Sequence, residues 1–204
     1  STGMGGRHWT RAEVLTSPVF WLLLPMFLGP PAWGTALFFQ QVHIAEVKGW
    51  PLVDYLALVP LMTFVSVVTT FVSGQMIDRF GSGLMARLYL LPLAATFMVM
   101  WAAESISMAA VAMILFGIGQ GVQATLPAAL WSEYYGTRHI GAIKAVSTSV
   151  MVLGSAFGPG VSGFLIDLGY SFPAQMPAIA AYFIVSMILA WVAVARVDRA
   201  LATP

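Results

Sequence analysis

Four glutamines and one charged octapeptide are the residues best suited to chemistry in this sequence. Gln40 and Gln41 close one apolar stretch, while Gln120 and Gln123 lie inside another, about one helical turn apart. An amide in hydrocarbon is costly unless it meets a partner, a cavity or water. These four are therefore candidates for contact with a polar solute, or for hydrogen bonds that join neighbouring helices. The octapeptide Gly74-Gln75-Met76-Ile77-Asp78-Arg79-Phe80-Gly81 sets an acid beside a base between two glycines. A carboxylate such as Asp78 is stabilised by free amides at a nearby helix N-terminus, and Arg79 offers charge-assisted hydrogen bonds. Such contacts can form in one conformation and break in another. Glu133 and Arg138 flank a later turn and are placed to join the same network.

Other chemistry has little footing. The chain has no cysteine and three histidines, no two of them at ligand spacing, so no metal site or haem is expected. No credible pair of nucleophile and base and no cofactor motif stands out, which argues against an enzyme. His43, beside Gln40 and Gln41, either titrates in a cleft or is simply solvated. The basic residues are scattered and form no patch, so nucleic acid is not an expected partner.

The elements that must position these residues are membrane helices. Of 204 residues, 59% are hydrophobic and 8% charged, where a soluble domain has roughly a quarter charged. Six windows have the ~20 apolar residues that a span needs: Pro18 to Gln41, Val53 to Gly74, Gly83 to Ala103, Ile106 to Trp131, Ile140 to Asp167, and Phe172 to Val194. Runs such as Val111 to Ile118 are apolar on every face, which fits helices and not the alternating strands of a barrel. The domain plan is residues 1–17 as a linker and short surface helix, 18–195 as a six-helix bundle embedded in lipid, and 196–204 as a tail. Ser1 to Gly6 reads as a flexible linker within a longer chain. Thr10-Arg11-Ala12-Glu13 has the form of a capping box. Pro30 and Pro31 in the first span, and Pro159 in the fifth, remove backbone donors and predict bends.

Charge sets the orientation. With the six spans marked, Arg7, Arg11, Arg79, Arg87, Arg138, Lys144, Arg196 and Arg199 fall on one side, and only Lys48 lies in the loop His43 to Trp50 opposite. The positive-inside rule makes the first side cytoplasmic, with both termini there and the bundle multi-pass in a cell (inner) membrane. No arginine or lysine is expected in mid-helix. Polar residues concentrate in spans one, two, four and five, which predicts that these look inward and that spans three and six face lipid. This repeats every three helices, as in the 3+3 repeats of many secondary transporters. Gly117 with Gly121, and Gly154 with Gly158, are G-x-x-x-G pairs suited to close helix packing.

The G-x-x-x-D-R-x-G octapeptide, lying between the second and third spans, resembles a signature of the major facilitator superfamily. Tyr134 to Lys144 resembles the junction between the fourth and fifth helices in bacterial members related to oxalate/formate and monocarboxylate carriers. The resemblance implies an all-α half of a twelve-helix fold, its C-terminal six helices, with the N-terminal six-helix half absent from this chain. It implies secondary transport of a small solute, leaning toward an organic anion such as a monocarboxylate, by alternating access. Gly74, Asp78, Arg79 and Gly81 would then latch the two halves. No sugar-porter-type ending follows the sixth span, and the cation for an organic anion is expected from the absent half. The alternative is a self-contained six-helix protein acting as a dimeric channel or scaffold.

Overall fold

The computed structural model describes residues 2–202. Six long helices are labelled α1 (Pro18–Phe39), α2 (Leu52–Phe80), α3 (Ser82–Ala102), α4 (Ile106–Tyr135), α5 (Ile140–Asp167) and α6 (Phe172–Ala202). All six are long and apolar enough to cross a membrane. Ala57 in α2 and Tyr89 in α3 keep right-handed helical dihedrals, so each of these spans continues through a local irregularity.

The helices pack as an open horseshoe in the order α2, α4, α3, α6, α1, α5. Exchanging α1 with α4, α2 with α5 and α3 with α6 turns each packed pair into another: α2 on α4 becomes α5 on α1, and α3 on α4 becomes α6 on α1. The chain is thus a 3+3 repeat, and because α1 and α4 enter the layer from opposite ends, the repeat is inverted. Glycine makes the two long seams possible. A Cβ on Gly121 would stand 2.6 Å from the Ser66 carbonyl oxygen of α2, and one on Gly158 would run into the Ala32 carbonyl of α1. Gly117 and Gly154 make the neighbouring close approaches, to Met62 and Leu28. Both G-x-x-x-G pairs therefore serve packing.

Several expectations are corrected. Residues 43–50 are no loop: Gln41–Lys48 is a helix, ended by Gly49 at φ 68°. α1 stays helical through Pro25, Pro30 and Pro31, and α5 through Pro159; the break lies at Gln40 instead. Residues 196–202 prolong α6 and form no separate tail, so that Asp198 pairs with Arg87 of α3 at 2.7 Å. The start of the chain is docked, not loose. Met4 is buried, and Trp9 donates its amide to the Tyr135 carbonyl at the end of α4. α3 and α6 pack on each other at the back of the horseshoe and keep exposed apolar outer faces, with Leu91, Met98 and Trp101 on α3 and Val185, Ile188 and Val192 on α6. The open faces belong to α2 and α5, only 17% buried over their spans against 39–50% for the other four.

The sequence places eight of the nine cations at one end of the bundle, here called the basic end. The ninth, Lys48, is fixed at the other, donating to the Trp101 and Ala103 carbonyls at the end of α3 (2.7 and 2.9 Å). That is the favourable place for a cation on a helix dipole. Partial burial pulls the Lys48 pKa below the usual lysine value, and Glu104 opposes the shift.

The capping box at Thr10 is present, with Glu13 accepting from the Thr10 amide and hydroxyl and from Arg7. These contacts, the Thr10 amide first, hold Glu13 below the ordinary carboxylate range. A depressed carboxylate stabilises above its unfolded pKa of about 4.3, and that contribution disappears as pH falls through the lower folded value. Amide hydrogen exchange across Arg11–Thr16 is expected to be flat from pH 7 to 5, after correction for the intrinsic rate, and to accelerate in more acid solution.

Candidate functional site

A polar-lined cavity of about 560 Å³ lies between α2, α4 and α5. It runs from mid-span toward the basic end, bounded by Ser66 of α2, by α4 from Gln120 to Trp131, and by Lys144, Ser147, Thr148 and Met151 of α5. It opens between the two least buried helices. Gln120 and Gln123 both line it. Gln40 and Gln41 do not. Gln40 reaches Ser162 of α5 at 3.4 Å toward the opposite end, where buried Gln175 of α6 bonds the Ser162 and Tyr170 carbonyls. His43 is engaged there too, its Nε2 accepting from the Phe172 amide at the start of α6.

Behind the cavity, Pro30 explains a polar chain that sequence reasoning missed. Proline has no amide hydrogen, so the Met26 carbonyl one turn earlier loses its helical partner. The Tyr89 hydroxyl of α3 replaces it at 2.7 Å and also touches the Gln123 amide at 2.8 Å. One hydroxyl proton cannot serve two oxygens. The amide group is therefore oriented with its nitrogen toward Tyr89, which also gives a partner to a buried NH2 that otherwise has none. The order is Gln123 to Tyr89 to Met26, tying α4, α3 and α1 together. This supply of a donor is why α1 passes Pro30 without breaking. Tyr89→Phe leaves a buried carbonyl unpaired and is expected to cost about 1–3 kcal/mol, read as a lower melting temperature in detergent.

The cavity wall is firm. Trp131 donates its indole N–H to Ser147 at 3.0 Å, joining α4 to α5, and packs against Phe27, Phe20 and Tyr135.

The octapeptide is helical where a loop was expected. α2 continues to Phe80, so Gly74, Asp78 and Arg79 lie on its last two turns, and Gly81 alone makes the turn at φ 83°. Asp78 does not occupy the helix N-terminus proposed for it from the sequence. Glu133 of α4 does, accepting from the Ser82 amide at 3.2 Å and from the Ser82 hydroxyl. Helix length decides the matter: α2 runs six residues and α4 four residues beyond their expected ends, which keeps Asp78 within α2 and brings Glu133 to the start of α3. Asp78 and Arg79 are exposed, and neither forms an ion pair among the described residues, although Arg79 lies over the Phe80 ring. Arg138 is also exposed, its amide donating to His8 Nδ1 at 3.4 Å. Gly74 has nothing within 4 Å of the position its Cβ would take.

Lys144 is the second residue whose place differs from expectation. Its position five residues into α5 puts a cation on the cavity wall, in the half that was expected to lack one. Among the described residues no group of histidine, aspartate and glutamate is placed to hold a metal ion. The family model that matches the chain carries the description Major Facilitator Superfamily and covers residues 2–159. No curated protein matches it.

Proposed function

From the premise that the chain belongs to the major facilitator superfamily, and is accordingly part of a membrane transporter, we propose that it forms one half of a secondary carrier. A small solute, an organic anion such as a monocarboxylate, crosses by alternating access through the cavity between α2, α4 and α5. The observation that carries this reading is the pairing of a polar cavity with two unpartnered helices on the same side. A monomeric bundle has no reason to leave α2 and α5 so bare around amides and hydroxyls, whereas a second six-helix half seated there would enclose the cavity.

In this reading Gln120 and Gln123 contact the solute. Gln40 and Gln41 take part only when the pathway opens at the opposite end. Gly74 allows the second half to approach α2 closely, and the free Asp78 and Arg79 latch to it at the basic end. Glu133 and Arg138 hold the adjoining turns, with Gly81 giving the turn its shape. Pro30, Pro31 and Pro159 are points where a helix can flex, because each removes one hydrogen bond from the helical ladder. Positive-inside orientation places the basic end and both termini in the cytoplasm of a cell with this carrier in its inner membrane.

The test is uptake into proteoliposomes by the intact carrier. Asp78→Asn is expected to fold normally and to lose at least about tenfold in turnover, the equivalent of one charge-assisted contact. Gln120→Ala is expected to raise the apparent KM for the transported solute. Unchanged turnover in the first together with unchanged affinity in the second would overturn the assignment of latch and cavity.

A further inference from the structure

Resting on the reading of this cavity as the solute pathway, we propose that Lys144 is the residue by which it selects an anion, so that the solute is a small organic anion bound through this half of the carrier. Lys144 is the only charged residue among the eleven that line the cavity, and none of the eleven is acidic. Its ammonium forms no ion pair or hydrogen bond among the described residues. The acids at the basic end are occupied or lie elsewhere: Glu13 pairs with Arg7, Asp198 with Arg87, Glu133 caps α3, and Asp78 is on the last turn of α2. Glu46, Asp54, Glu104 and Asp167 belong to the opposite end by their places at the helix termini there.

Lys144 is exposed on the open side of the cavity, and an uncompensated cation there attracts anions and repels cations. The neighbouring groups suit the same guest. Ser147 accepts from the Trp131 indole, so its own proton is left to donate. The Thr148 hydroxyl and the Gln120 amide line the same space. A carboxylate at the basic end of the cavity has the Lys144 ammonium and the Ser147 and Thr148 hydroxyls, all within about one turn of α5, to donate to it. A lysine, as a single point charge on a flexible stem, suits one carboxylate that must be released again, where an arginine fork would hold it in a fixed bidentate geometry. The competing account is that Lys144 only faces the headgroup layer and helps orient α5.

The experiment is uptake by proteoliposomes of the intact carrier, using a panel of one- to six-carbon monocarboxylates, each paired with its neutral amide, together with sugars and amines. Wild-type protein is expected to move at least one carboxylate and to reject its amide. Lys144→Gln is expected to raise KM for that carboxylate about 10- to 100-fold, the worth of a charged hydrogen bond, and to narrow the preference over the amide. Lys144→Arg is expected to restore most of the preference, and matched melting curves exclude misfolding. Carboxylate transport unaffected by Lys144→Gln overturns the role of Lys144. Transport of sugars or amines with no carboxylate moved overturns the anion assignment and leaves the transport reading standing. Failure to move any solute on the panel overturns both.

Discussion

Gly158→Leu is expected to prevent α1 and α5 from closing, and Gly160→Ala, two residues further along the same helix, is expected to be harmless. The contrast comes from which way each glycine faces. At Gly158 even a Cβ would run into the Ala32 backbone carbonyl, and backbone cannot step aside as a side-chain tip can. A leucine there adds four carbons where none fits, and its cost exceeds about 3 kcal/mol, the upper range for overpacked cores. Folded membrane protein has little stability to spare on that scale. At Gly160 nothing lies within 4 Å, so alanine gains its helix propensity, up to about 1 kcal/mol. Size-exclusion profiles and melting curves in detergent check both. Comparable behaviour of the two variants would contradict the seam between α1 and α5.

The second large effect separates fold from function. Gly74→Leu is expected to leave the folding of this bundle intact and to abolish transport. Among the described residues nothing lies within 4 Å of the position a Gly74 Cβ would take, and exposed Asp78 and Arg79 form no ion pair. In the proposed carrier the leucine acts instead on the seating of a second half on α2. Helix propensity alone makes the variant slightly more stable in isolation. A carrier with native melting behaviour and turnover reduced more than about a hundredfold is the expected result, measured by melting curves and uptake on the same preparation. A variant that transports normally would show that α2 faces only lipid at this point.

What the sequence revealed and what it hid can be argued from single residues. The six spans were legible because membrane-crossing length and apolarity are properties of a window, independent of neighbours. Gly121 and Gly158 were legible because close packing without a side chain leaves few other uses for a glycine in a membrane helix. Pro30 misled, since the rule that proline breaks helices assumes that nothing replaces the lost amide, and here Tyr89 from another span does. Tyr89 itself gave no signal: a tyrosine near a span end reads as an interfacial anchor until its partner is known. Glu133 and not Asp78 reaches the start of α3 because such contacts depend on helix ends, which an apolar window fixes only to within one or two turns. Lys144 was counted correctly among the cations at the basic end, yet the depth of the cavity beside it exists only once α2, α4 and α5 are assembled. The cavity glutamines show the same limit. Gln40 and Gln120 look alike in sequence, and only the packing sends the first to Ser162 and the second to the cavity.

Because the chain contains no cysteine, a single thiol can be introduced here without removing any others from it. In the proposed carrier the cavity beside Gln120 alternates its exposure between the two membrane faces during transport. This alternation is tested most directly by labelling Gln120→Cys in proteoliposomes with a membrane-impermeant maleimide from each side, with and without transported solute. Labelling is expected from the face bearing Arg79 and Arg138 in the resting carrier, with a solute-dependent shift of reactivity toward the other face. A thiol that stays equally reactive from one face under every condition, in a carrier shown to transport, would contradict it.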